Sequence, residues 1–314
     1  MNTEKIKTSI LGFIVGDALG VPYEFTDRNH RKRYPVTKMT DGGIWQQPIG
    51  TWSDDSSMLL ATVDSLCDGY NLTDLAIRFD SWLYHQQYTP HGEVFDVGAQ
   101  THDGLSRIHM LIEVNHVITP MPADVNEYKN GNGSLMRILP FGFYLKNHSI
   151  AERWKIINEA SSLTHSHIRS VIGCFIYSEL VIELISGTDK ALAYINVQDR
   201  ASVFLKSVAS LKEVKLYDRI LKMNILDLKE PDIQSTPYVL HTLEAVLWCF
   251  LKNSSYEDCV LSGINLGGDT DTIGGLIGGL AGIIYTVPEI WIQQLARKEE
   301  IIDKIDFYAY RLKG

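Results

Sequence analysis

Two short acidic segments carry the strongest chemical signal in this sequence. Gly50-Thr51-Trp52-Ser53-Asp54-Asp55-Ser56 places adjacent aspartates behind a hydroxyl, directly before an apolar run. As plain structure this is an N-cap serine with acids in the first helical turn, where the dipole favours them. Two like charges side by side are a costly cap, however, and a bound cation removes that cost. Gly267-Gly268-Asp269-Thr270-Asp271-Thr272 spaces two aspartates i, i+2 after paired glycines and before a glycine-rich apolar run. The glycines permit a turn that aims both carboxylates at one point. Close helix packing accounts for Gly274, Gly278 and Gly282 at four-residue intervals, but it does not account for the paired acids. Asp54, Asp55, Asp269 and Asp271, with the hydroxyls of Ser53 and Thr272, form an oxygen-rich donor set. Such a set suits two Mg2+ (or Mn2+) ions rather than zinc. A two-metal site can polarise substrate oxygens and activate water.

Two glycine-containing loops add binding capacity. In Gly131-Asn132-Gly133-Ser134-Leu135-Met136-Arg137, small residues open a helix-like run whose N–H groups could hold a phosphate or ribose oxygen. Phe95-Asp96-Val97-Gly98-Ala99-Gln100-Thr101 leads into a helix in the same way. Both loops are also ordinary turn chemistry. His165 and His167 precede a long apolar helix. One is expected to serve a ligand or the backbone, and the other to lie at the surface.

The elements that must position these residues read as helical. Apolar stripes at Met58-Leu59-Leu60, Val63 and Leu66, at Ile172, Phe175, Ile176, Leu180 and Ile185, and at Leu240, Leu243, Val246, Leu247 and Phe250 keep the helical period. Clean two-residue alternation is scarce. With 314 residues, 45% of them hydrophobic, the chain can bury a large core. The expected architecture is all-α, compact and one domain over residues 1–314.

A net charge of −9 argues against a nucleic-acid partner. The basic patch Arg28, His30, Arg31, Lys32, Arg33 reads as a solvated loop. Cys67, Cys174, Cys249 and Cys259 form no C-x-x-C pair, and all four read as buried thiols of a reducing compartment. The apolar run Ile273 to Val287 falls short of the roughly 20 residues that span a bilayer. Asp17 interrupts a weak signal-like start. The expectation is a cytoplasmic protein with no membrane association. The stretch 196–237 reads as ordinary surface helices, with a branch-specific partner-binding insertion as the alternative.

Taken together and in order, these segments resemble the ADP-ribosylglycohydrolase family, which includes dinitrogenase reductase-activating glycohydrolases and ADP-ribosylarginine and ADP-ribosylserine hydrolases. The likeness runs from Gly12 to about Trp291 and includes Gly16-Asp17-Ala18-Leu19-Gly20-Val21-Pro22-Tyr23-Glu24. It implies a compact orthogonal helical bundle with a central dinuclear metal cleft, its two metal ions held by Ser53, Asp54, Asp55, Asp269, Asp271 and Thr272. It implies an ADP-ribose pocket from Gly98, Ala99, Gly131, Asn132, Gly133, Ser134 and His165. The implied catalytic carboxylate is either Glu24, which matches the serine-linked hydrolases, or Asp96, which matches the bacterial arginine-type enzymes, with Asp55 beside it. Ser53 stands where the family usually has threonine, and the hydroxyl is retained. The expected substrate is an ADP-ribosylated protein, arginine-linked by preference because the Phe95-Asp96-Val97-Gly98 loop is bacterial in type, with serine linkage open. Two other functions stay open: a weak ADP-ribose binder or immunity-type partner that blocks an ADP-ribosyltransferase, and a two-metal nucleotide phosphoesterase.

Overall fold

The computed structural model describes residues 3–313, which form sixteen α-helices and, among the described residues, no sheet. The expected apolar stripes fall in the helices Asp54–Leu66, Ile168–Ile185 and Val239–Lys252. Ile168–Ile185 is buried along nearly its whole length, as a helix that is apolar all round must be. Among the described residues no helix is long and apolar enough to cross a membrane, and Thr270–Ile284 is buried in the core.

One helix pair organises the site. Thr3–Gly20 and Thr270–Ile284 lie against each other with their glycine faces in contact. A Cβ added to Gly16 would sit 2.1 Å from the Gly274 carbonyl oxygen, and one added to Gly278 would sit 2.2 Å from that of Gly12. Side-chain hydroxyls stitch the same seam. Ser9 donates to the Gly279 carbonyl at 2.6 Å and Thr270 to that of Gly20 at 2.8 Å. The seam fixes Asp17, near the end of one helix, beside Asp269 and Asp271, at the start of the other.

Two expectations need correction. The basic patch is a short helix, Arg28–Arg33, and not a solvated loop: Arg31 is buried, and Arg28 donates to the carbonyls of Leu266 and Glu230. His167 is not at the surface either. It is 3% exposed and caps Ile168–Ile185, its Nδ1 accepting from the Arg169 N–H. The stretch after Asn196 belongs to the helices Lys190–Val208, Leu211–Leu216 and Asp218–Leu221. Arg200 ties it to the core helix through Glu179 and Glu183. The four cysteines are free and buried.

Candidate active site

Ser53 caps Asp54–Leu66, its hydroxyl accepting from the Asp55 N–H at 3.3 Å. The plain N-cap reading therefore holds, and the cap also presents the two aspartates. Beneath it Asp17 is fully buried. Its carboxylate accepts from the Ser53 and Ser56 N–H groups at 3.1 Å and from the Ser56 hydroxyl. Asp17 thus fixes the turn from which Asp54 and Asp55 project, a role no local pattern revealed.

Opposite, Gly267 and Gly268 take φ of 69° and 76°, the left-handed region that favours glycine. A Cβ at Gly268 would lie 2.1 Å from the Ser235 carbonyl oxygen, so the turn also needs the space. It delivers Asp269 and Asp271 to the cleft. Asn132 donates to the Asp269 carboxylate at 2.6 Å and to Thr242 Oγ1 at 2.9 Å, so its amide braces an aspartate.

The cleft has a volume of about 230 Å³. Asp54, Asp55, Asp269, Asp271 and Thr272 line it, as do Glu24, Asp96, Gly98, Ala99, Gly131, Asn132, Gly133 and His165. Ser53 does not line the cleft but caps the helix beside it, its side chain next to the Asp271 carboxylate. Ser134 is fully buried, its hydroxyl accepting from Ser161 and facing the Cys174 thiol, and it starts no helix; the next one begins at Leu139. The loop turns its side chain into the core and offers Gly131 and Gly133 to the cleft. Phe25, Gln100, Thr101, Met136 and Pro237 complete the lining.

Two groups of three carboxylates each bring one oxygen within 4.8 Å of the others: Asp54, Asp55 and Asp271, and Glu24, Asp96 and Asp271. Asp271 belongs to both. Burial first, then the charge of a neighbouring carboxylate, Asp96 for Asp54 and Asp271 for Asp55, pushes both groups well above the usual carboxylate range. Burial and then Asp271 push Asp17 up to about 7, Asp96 to about 8 and Glu24 to about 11. Glu24 and Asp96 share a hydrogen bond that favours the proton on Glu24. Trp45 Nε1 donates to Glu24 Oε2 at 2.5 Å, and its ring meets Phe95, centroids 6.0 Å apart. Left-handed backbone at Phe25, Gln46 and Asp96 (φ 59°, 50° and 53°) clusters here, strain of the kind found at functional sites.

A divalent cation fits this chemistry. Among the described residues, Asp55 Oδ2 and Asp271 Oδ1 are buried without a hydrogen-bond partner, and no Lys or Arg pairs with either group. Oxygen donors alone favour Mg2+ or Mn2+.

The rest of the cleft suits an anionic, hydroxyl-bearing ligand. Gly98 begins the 15-residue helix Ala99–Glu113 with no side-chain cap, leaving its first N–H groups and positive dipole end available at the cleft. Across from it, burial and the Arg137 charge push His165 down to about 3, so the ring is neutral at pH 7. Thr164 Oγ1 accepts from Arg137 at 2.9 Å and meets His165 Nδ1 at 2.8 Å. With the Thr164 hydroxyl donating to Nδ1, the ring carries its proton on Nε2, near Gly131.

A family model described as ADP-ribosylglycohydrolase matches residues 2–313. The chain is 28% identical over 307 residues to an ADP-ribosylarginine hydrolase of Pseudomonas putida, covering 95% of this chain and 76% of that one. It is 28% identical over 301 residues to an ADP-ribosyl-[dinitrogen reductase] glycohydrolase of Rhodospirillum rubrum, covering 93% and 90%. To an ADP-ribosylhydrolase of Mus musculus it is 24% identical over 338 residues, covering 94% and 88%. A solved structure described as an ADP-ribosylglycohydrolase-related protein complex is similar at a TM-score of 0.79 and 26% identity, covering 99% of both chains.

Proposed function

The chain belongs to the ADP-ribosylglycohydrolase family and is a glycosidic-bond hydrolase; from that premise we propose that it is a metal-dependent enzyme that removes ADP-ribose from arginine side chains of a modified protein. The observation that carries the reading is the pair of carboxylate groups meeting at Asp271, beside an uncapped helix N-terminus. Asp54, Asp55, Asp269 and Asp271 with Thr272 would hold two Mg2+ (or Mn2+) ions, and Ser53 would assist from its cap. When bound, such ions supply charge that steadies ribose oxygens and makes water a better nucleophile.

The protein's own groups account for the rest. The Ala99, Gln100 and Thr101 N–H groups receive the pyrophosphate, and His165 Nε2–H adds a neutral donor. Hydrolysis breaks the bond from the anomeric carbon to the guanidino nitrogen and forms one to a water oxygen. The water loses a proton and the nitrogen gains one. Glu24, the member of the carboxyl pair that holds the proton, would give it to the leaving nitrogen, and Asp96, in its ionised form, would take one from water. Trp45 holds Glu24 in line through its N–H. Two carboxyl groups beside the leaving group also suit a planar cation better than a serine hydroxyl. An arginine-linked substrate is named for the Pseudomonas putida relative.

The test is release of free ADP-ribose from arginine-modified and serine-modified proteins, with magnesium and then with chelator. Magnesium-dependent release from the arginine substrate supports the proposal. Release from the serine substrate alone refutes the linkage. Binding of ADP-ribose without release from either refutes the activity and favours a binding role.

A further inference from the structure

A second cavity, of about 280 Å³, opens behind the Gly267-Gly268 turn, between the Arg28–Arg33 helix and the end of Val239–Lys252. Its charged lining is Arg31, Lys32, Lys252 and Glu230, three cations against one carboxylate in a chain of net charge −9. Lys32 and Glu230 satisfy each other at 2.8 Å. Among the described residues the other two cations have no carboxylate partner.

Arg31 is the unusual one. The residue is 7% exposed, yet its guanidinium makes no hydrogen bond or ion pair among the described residues, and its Nε is buried without a partner. Its neighbour is the Tyr23 ring, 5.0 Å from the guanidinium carbon. Burying a guanidinium without an acceptor is costly, and native proteins supply the missing partner. The nearby amides are not bonded to it. The Asn265 side chain is spent on Val36 and Leu261, and Asn253 donates to Cys249 and Ser262. Lys252 Nζ stands 4.0 Å over the Trp248 ring, where its charge stays unneutralised.

We propose that this cavity is a second ligand site, distinct from the catalytic cleft, that binds a phosphate group between Arg31 and Lys252. A guanidinium offers a fork matched to an oxyanion and an ammonium adds a point charge. The phosphate is either free or the end of a small monoester. An occupant would touch the back of the active site from two sides. Arg31 stacks on Tyr23, the residue before Glu24, and Leu266, in the cavity wall, precedes the turn that delivers Asp269.

The experiment is calorimetric titration of the full chain with inorganic phosphate, at ionic strength fixed with chloride and with saturating ADP-ribose present. The wild type should bind with a dissociation constant in the millimolar range or tighter. Arg31→Gln should weaken it at least tenfold, and Lys252→Gln, at an exposed position, severalfold. Lys252→Gln keeps the test decisive if Arg31→Gln folds poorly. A parallel titration with AMP separates the sources: tighter binding than phosphate points to a nucleotide, equal binding to the phosphate alone, and both support the site. No phosphate binding by the wild type, or equal binding by wild type and Lys252→Gln, overturns it.

Discussion

Gly16→Ala tests whether the bare seam between the two long helices sets the site. The new methyl would lie 2.1 Å from the Gly274 carbonyl oxygen and 2.6 Å from its carbon. Relaxed carbon–oxygen contacts begin near 3.3 Å, so the helices must part locally by about 1 Å. Both obstacles are backbone, which cannot rotate away, so the cost belongs at the upper end of overpacking, about 3 kcal/mol. Alanine returns about 1 kcal/mol of helix propensity. The net loss is about 2 kcal/mol, read as a fall of about 0.7 M in the urea midpoint for a slope of about 3 kcal/mol/M. Turnover should fall as well, because Asp17 follows directly and Gly20 lies against Asp271. Gly98→Ala is the control for stability: its φ is −58° and the nearest atom to an added Cβ is 3.8 Å away, so its midpoint should barely move. A Gly16→Ala midpoint within about 0.2 M of wild type would show that the seam yields and that the spacing argument is wrong.

Three further outcomes follow from the site. Asp271→Asn should abolish magnesium-dependent ADP-ribose release, yet raise the stability of the metal-free chain, because it removes the charge shared by both carboxylate groups; lower stability in chelator would refute the repulsion argument. Trp45→Phe should lower kcat by about tenfold or more, with ADP-ribose affinity unchanged, since it removes the donor that orients Glu24 and keeps an aromatic ring against Phe95; an unchanged kcat would release Trp45 from that role. His165 is held near 3 when folded and sits near 6.5 when unfolded, so its stabilising effect is complete above 6.5 and declines as pH falls towards 3. By pH 5 the loss is about 2 kcal/mol. Raised carboxylates oppose this, so the measurement is the difference in urea stability between wild type and His165→Gln at pH 7.5 and pH 5. The wild type should lose about 2 kcal/mol more than the variant over that interval, and equal losses would refute the assignment.

The sequence made the helices readable because their apolar positions repeat at the helical period, as in Met58 to Leu66 and Leu240 to Phe250. The acidic segments were readable because paired carboxylates beside glycines and hydroxyls are chemically conspicuous. Which wall of a loop faces the cleft was not readable. Ser134 and Gly133 are neighbours, yet Ser134 turns to Ser161 and Gly133 to His165, and this follows from contacts made across the chain. Trp45 and Asp17 act on partners 21 and 36 residues away, distances over which no periodicity speaks. The basic run at Arg28 misled because charge alone suggests solvent. Arg31 is buried by its place against Tyr23 and the adjacent cavity.

The Gly20 carbonyl and the Thr270 hydroxyl that meets it are separated by 250 residues of chain. During synthesis at about 5–20 residues per second, the N-terminal helix therefore waits tens of seconds for the helix that covers it. Its glycine face is poor at holding other partners, having no side chains with which to grip them. Closing so long a loop is an entropic debt settled late, and contacts of this span slow folding. The carboxylate groups meet only at that closing step, so the nascent chain is spared a cluster of unneutralised buried acids until the fold can enclose a counter-charge with them.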